Sequence, residues 1–148
     1  MTPSHSSASV LIDRMGAPND QTLEITFVAG LPGFDHLRDF VIEPLSGDLA
    51  PFCRLRAVDA GGVEFIVVPP GLLFPDYAVE VDEETVDRLQ LSVEDAAVLS
   101  IVTLSEGSTP TANLLGPIVV NRRTGSAAQI VLQRSDYAVA QPLVPPAA

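Results

Sequence analysis

Lysine is absent from this 148-residue sequence, and all eight of its basic residues are arginines. Without a lysine the chain has neither a Walker-type phosphate-binding loop nor an amine for Schiff-base chemistry. Its single cysteine, Cys53, excludes an intrachain disulfide and a cysteine-based metal cluster. Its two histidines, His5 and His36, do not have the spacing of zinc ligands. Most residue types that would carry catalysis or hold a metal ion are therefore scarce, and we expect no cofactor and no metal.

Long apolar runs and basic patches are scarce as well. No segment approaches the roughly 18 uninterrupted apolar residues of a membrane helix, and residues 1–9 lack the basic and apolar regions of a signal peptide. We therefore expect a cytoplasmic location and no contact with membranes. Against 19 acidic residues and a net charge of −11, the lone basic pair Arg122-Arg123 does not predict direct nucleic-acid binding. The acidity favours basic protein partners, or it serves only to keep an apolar chain in solution.

Short apolar runs punctuated by glycine and proline make up most of the chain. Leu23–Phe27 alternates apolar and polar residues, the pattern of a strand with one buried face. The run 63–68 is apolar after Glu64, which predicts a strand buried on both faces. Asp82 is expected to cap a helix that ends near Leu89. The remaining apolar runs predict strands at 10–12, 40–42, 52–58, 78–81, 97–104, 118–120 and 129–132.

This pattern predicts a mainly β fold, a small antiparallel β-barrel or sandwich-like single domain with one or two short helices. Residues 1–21 are expected to be a partly flexible lead-in, and residues 22–143 the β-barrel domain. Beyond Tyr137 the chain becomes rich in proline and alanine, and we expect an extended tail that includes residues 144–148.

Two loops concentrate glycine, proline and aromatic residues, at 30–34 (GLPGF) and 73–77 (LFPDY). The glycines of the first loop permit positive φ and its proline fixes φ, so Phe34 is held in one place. Such a loop is either a structural corner that closes a β-core or a presented binding surface. A third segment, 111–117 (TANLLGP), has two leucines just before a predicted strand. These leucines are either core residues or an exposed apolar edge. Asn113 is expected to cap backbone groups in that turn.

In their order and spacing, these segments resemble the flagellar assembly factor FliW family. The similarity covers about residues 22–143. The motifs that carry it are 25–27 (ITF) with 30–34, 65–68 (FIVV), 73–77 with Val79 and Glu80, 111–121 (TANLLGPIVVN) and 135–137 (SDY).

The resemblance implies a small, non-enzymatic, β-barrel-like protein of the bacterial cytoplasm. Members of the family bind flagellin, and they also bind and antagonise CsrA, a translational repressor. The two partners compete, so that secretion of flagellin frees the assembly factor to take CsrA off the flagellin message. The acidic charge of this chain is compatible with a basic, RNA-binding partner such as CsrA.

The loops of these motifs are the predicted partner face, because exposed apolar and aromatic side chains dominate small interfaces. The chain departs from the family pattern at Val28, at Pro69, and at Ala140-Gln141, where the family tends to carry Arg-His. If that basic pair contacts a partner, the matching contact is lost here. An alternative is an enzyme or small-ligand barrel that shares only the architecture, which would need a polar, convergent pocket. The predicted partner-binding residues are Phe34, Phe74, Asp76, Tyr77, Asn113, Leu114 and Leu115.

Overall fold

A computed structural model describes residues 10–12, 22–58, 61–133 and 137–143, and within them the fold is mainly β with one α-helix. Three single 3-10 turns cover Gly47–Leu49, Pro70–Leu72 and Val93–Asp95. The regular elements are β1 (Val10–Ile12), β2 (Leu23–Phe27), β3 (Asp39–Pro44), β4 (Cys53–Ala57), β5 (Glu64–Val68), β6 (Val79–Val81), α1 (Glu83–Leu89), β7 (Ala96–Thr103), β8 (Thr111–Ala112), β9 (Ile118–Asn121), β10 (Ser126–Gln129) and β11 (Gln141–Pro142).

Seven of these strands close a β-barrel, which confirms the predicted fold class. Around the barrel the order is β7-β5-β4-β3-β2-β10-β9, and β9 pairs again with β7. Each neighbouring pair is antiparallel except β10 and β2, which run parallel with Ser126 opposite Thr26. Closure leaves these strands without an open edge along their paired length, so their backbone groups are satisfied within the sheet.

Strands β7 and β9 are buried on both faces because they separate two apolar cores. In β7, Ala97 and Leu99 point into the barrel, whereas Val98 points to a second core outside it. In β9, Ile118 lies in the barrel and Val119 in the second core. Successive side chains of a strand lie on opposite faces, so a nearly continuous apolar run supplies both cores.

The second core is covered by β6, by α1 and by the chain after β10. The helix begins where Asp82 Oδ1 accepts a hydrogen bond from the Thr85 N–H at 2.8 Å, as predicted. It ends at Leu89, and Gln90 then takes φ +50°. Leu89 is buried and Val86 packs against the same core, so the helix turns an apolar side towards the second core.

The position of β10 differs from the prediction of a strand at 129–132. The strand begins at Ser126 because the Asn121 side chain closes a tight turn, accepting from the N–H groups of Arg123 and Thr124 at 2.9 and 3.2 Å. Gly125 completes the turn at φ +83°, where a Cβ would meet the Glu24 carbonyl oxygen at 2.8 Å. A glycine is therefore required where the chain passes β2.

Two further expectations are corrected. The run predicted to be buried on both faces, β5, is buried only at Val67 and Val68, because Phe65 and Ile66 pack against the two cores without being enclosed by them. The chain after Tyr137 is not simply an extended tail: β11 pairs with β8, and the Leu143 N–H donates to the Pro110 carbonyl oxygen at 2.8 Å. Residues 144–148 of the predicted tail, and residues 1–9 and 13–21 of the predicted lead-in, lie outside the described residues.

Candidate protein-binding site

A groove of about 910 Å³ lies over the second core, and we call it the main groove. One side is formed by residues 73–78 and the other by residues 130–133, with Leu114 and Tyr137 between them. A smaller side groove of about 320 Å³ is lined by Pro32, Asn113, Leu115 and others. Val131 borders both grooves, and 68% of its surface is exposed. Segments from all three glycine- and proline-rich motifs therefore meet around one exposed valine.

Tyr77 ties two of these motifs together. It is 2% exposed, and its hydroxyl donates to the Leu114 carbonyl oxygen at 2.7 Å, across 37 residues of sequence. Its ring meets that of Tyr137 edge-on with centroids 4.6 Å apart, and the Tyr137 hydroxyl accepts from the Ala78 N–H at 3.2 Å. Burial, and to a lesser degree Tyr137, raises the pKa of the Tyr77 phenol. The floor of the main groove is consequently held by hydrogen bonds as well as by packing.

The expectation that the predicted anchors are exposed is wrong for Tyr77 and Leu114. Leu114 is only 4% exposed, because its loop folds back over the second core and Tyr77 holds its backbone there. Phe74 is half-buried and Asp76 is exposed, and both line the main groove. Phe74 and Asp76 present surface that a partner can reach, whereas Tyr77 and Leu114 support it. The assignment of the four residues to a partner remains a prediction.

Phe34 lies apart from both grooves. Its backbone pairs with Leu31, and its half-buried ring packs edge-on against Phe65 with centroids 5.6 Å apart, next to the barrel core. Gly30, at φ +75°, comes so close to the Asp35 backbone that a Cβ would lie 2.8 Å from its carbonyl oxygen. Of the two interpretations of this loop, the structural corner describes Phe34.

Asn113 and Leu115 belong to the side groove. Asn113 Oδ1 accepts from the N–H groups of Leu115 and Gly116 at 3.1 and 2.8 Å, the turn-capping role that was predicted. Gln129 Nε2 donates to the Gly116 carbonyl oxygen at 2.9 Å and fastens the turn from the other side. Leu115 is half-buried against the second core. Hydrogen bonds from both sides therefore hold the turn that lines the side groove in one conformation.

The rim of the main groove is acidic. Asp76, Glu80 and Asp82 are exposed carboxylates among its lining residues, and no arginine or histidine lies among the lining residues that the structure describes. The floor is apolar, formed by Leu73, Phe74, Ile130, Leu132 and others. Carboxylates around an apolar floor form a surface that favours cationic, partly apolar partners.

A family model described as "FliW protein" matches residues 12–143. The chain belongs to the FliW family. It is 46% identical over 126 residues to the flagellar assembly factor FliW of Bacillus licheniformis, which covers 84% of this chain and 86% of the relative. It is 41% identical over 121 residues to the one of Bacillus subtilis, with 80% and 84% covered. The crystal structure of a flagellar assembly factor FliW superposes with a TM-score of 0.73 at 31% identity, covering 84% of this chain and 88% of that one.

Two grooves of this FliW-family fold include residues that sequence reasoning missed. The sequence places Ile130 and Val131 in a predicted strand at 129–132, and Pro32 enters only as a conformational constraint on its loop. Glu80 follows the LFPDY motif and lines the main groove because it points outward between the buried Val79 and Val81. The alternation of apolar and polar residues in β6 indicates that Glu80 is exposed. No local pattern distinguishes Val131 from a core valine.

Side chains that could ligate a metal ion are not clustered in the described part of this FliW-family chain. No three histidine, cysteine or carboxylate side chains among the described residues form a group that would hold a metal ion. Cys53 is buried, and burial raises the pKa of its thiol, which makes it a weaker nucleophile. Within the described ranges the α-helix has seven residues, and no helix in those ranges is long and apolar enough to cross a membrane.

Proposed function

We propose that this FliW-family protein is a cytoplasmic, protein-binding regulator of flagellar assembly. It binds flagellin, and it binds and antagonises the translational repressor CsrA, so that synthesis of flagellin follows its export. The observation that carries the proposal is the meeting of three family motifs around Val131, on an apolar face with an acidic rim. The relatives named as flagellar assembly factors support the same function.

The chemistry of the grooves supports binding rather than catalysis. The ionisable groups that line the main groove are carboxylates and tyrosines, with no histidine, lysine or cysteine among its described lining residues to act as a base or a nucleophile. The closed barrel and the hydrogen bonds of Tyr77 and Asn113 give the loops a rigid base. A pre-formed surface of this kind loses little conformational entropy when a protein docks on it.

Direct binding measurements test the proposal. The purified full-length chain is titrated calorimetrically with purified flagellin and, separately, with purified CsrA from the same bacterium. In a gel-shift assay, adding the chain is expected to release CsrA from a flagellin leader RNA, and adding flagellin is expected to restore the CsrA–RNA complex. If folded protein binds neither partner, the proposal is wrong. If the chain binds only one of the two proteins, the proposal holds for that partner. The missing interaction would then be attributed to Ala140 and Gln141, which replace the basic pair of the family.

A further inference from the structure

The main groove combines an apolar floor with carboxylates at its rim and has no basic residue among its described lining residues. Phe74, Ile130 and Leu132 belong to its floor, whereas Asp76 and Glu80 are exposed at its rim. On the barrel surface, some acidic side chains form ion pairs: Glu43 lies 2.9 Å from Arg56, and Glu64 lies 2.9 Å from Arg54. These ion pairs partly neutralise the barrel surface, but the carboxylates of the main groove have no basic partner among its described lining residues.

The grooves together have the shape of a site for a chain segment. With a volume of about 910 Å³, the main groove is as large as the larger pockets that bind small molecules. Past Val131 the apolar surface continues into the side groove, where Val139 is 60% exposed. The two grooves together form a long apolar surface, and this shape suits an extended peptide better than a compact ligand.

We infer that the main groove docks a segment of a partner protein in which apolar side chains are flanked by arginine or lysine. The inference rests on the proposed function, because it names the chemistry of the segment by which such a partner is recognised. Apolar side chains of the segment fill the floor and supply affinity, while its cations meet the rim carboxylates and supply specificity and a faster association rate.

Two variants and their matched controls test this assignment. Val131→Glu places a charge in the apolar part of the site, and Val58→Glu makes the same change at another exposed valine, outside both grooves. Asp76→Asn combined with Glu80→Gln removes two of the three rim charges and keeps Asp82, whose side chain caps α1.

The control for the double variant is Glu94→Gln combined with Glu106→Gln, at exposed carboxylates that do not line either groove. All four proteins are compared with the wild-type chain after their melting temperatures have been shown to agree.

The probes are two fluorescein-labelled synthetic peptides of equal length and leucine content, one with arginine and the other with glutamate at the charged positions. In anisotropy titrations the wild-type chain is expected to bind the arginine peptide and not the glutamate peptide. Val131→Glu is expected to raise the Kd at least about tenfold, and Val58→Glu less than about twofold. The rim variant is expected to raise the Kd about three- to tenfold at low salt and to flatten its salt dependence, whereas its control does neither.

Full-length flagellin and CsrA are titrated against the same variants. If the wild-type chain binds either protein and Val131→Glu does not weaken that binding, the groove assignment is wrong although the proposed function holds. If the arginine peptide binds in the groove and neither protein does, the proposed function fails and the groove assignment holds. Equal binding of the two peptides, or none of either, overturns the inference. So does a wild-type dimer that Val131→Glu separates, because the occupant would then be a second copy of the chain.

Discussion

Replacing Tyr77 by phenylalanine removes one oxygen atom from the floor of the main groove and leaves the ring in place. The lost hydroxyl donates at 2.7 Å to the Leu114 carbonyl oxygen, and both residues are buried, at 2% and 4% exposure. The carbonyl then loses its partner without gaining water. Leaving a buried acceptor unsatisfied costs about 1–3 kcal/mol of unfolding free energy.

For a chain of about 150 residues, each kcal/mol lowers Tm by roughly 2–4 °C. We therefore expect Tyr77→Phe to melt about 2–12 °C below the wild-type protein, with an unchanged urea m-value. Since the hydrogen bond joins the LFPDY and TANLLGP motifs, the groove should also become more mobile. Amide hydrogen exchange of residues 113–116 is expected to accelerate.

Tyr137→Phe is the matched control. The Tyr137 hydroxyl accepts a longer hydrogen bond, at 3.2 Å, from the Ala78 N–H, and Tyr137 is only half-buried. A smaller loss of stability is expected, about 0.5–1.5 kcal/mol. Our reasoning about the groove floor is refuted if Tyr77→Phe stays within about 0.5 kcal/mol of the wild-type protein, or if Tyr137→Phe costs more.

Four further outcomes follow from burial, backbone geometry and ionisation. Leu114→Ala is expected to lose about 2–5 kcal/mol in urea unfolding, because the leucine is a core residue; a near-zero loss would restore it as an exposed anchor. Ser100→Ala should raise stability by about 1 kcal/mol, since the fully buried hydroxyl of Ser100 has no hydrogen-bond partner among the described residues; a Tm below the wild-type value would contradict this. Gly30→Ala should destabilise by more than about 1 kcal/mol, because the glycine has φ +75° and an added Cβ would lie 2.8 Å from the Asp35 carbonyl oxygen; unfolding at the wild-type urea midpoint would count against this strain. Because the folded state raises the pKa of Tyr77, stability should fall as pH rises above about 10, by up to roughly 1.4 kcal/mol per pH unit, and the fall should be shallower in Tyr77→Phe; equal alkaline slopes would show that the phenol does not contribute.

Elements with a strong local pattern agree with their prediction. The helix Glu83–Leu89 is predicted from its cap, Asp82, and both depend on residues within two turns. The strand Leu23–Phe27 alternates as predicted. Both features can be found from the sequence because the hydrogen bonds and side-chain periodicity that define them are local.

Elements that depend on distant partners escaped prediction. The strands β8 and β11 have two residues each, too few for any periodicity, and exist only because they pair with one another and β8 pairs with β7. Strand β10 was placed too late, since Gly125 must pass close to the Glu24 backbone before the strand begins. Neither the length of a short edge strand nor a close approach between segments is encoded in its neighbouring residues.

The candidate site divides in the same way. The sequence alone determined a mainly β domain, an acidic chain, the three rigid loops and the resemblance to the FliW family. Only the tertiary structure decided that Tyr77 and Leu114 support the main groove from below, that Phe34 closes the barrel, and that Val131 stands exposed between two grooves. The reason is physical: local sequence sets dihedral preferences and the alternation of faces, but the exposure of a side chain depends on which distant segment covers it.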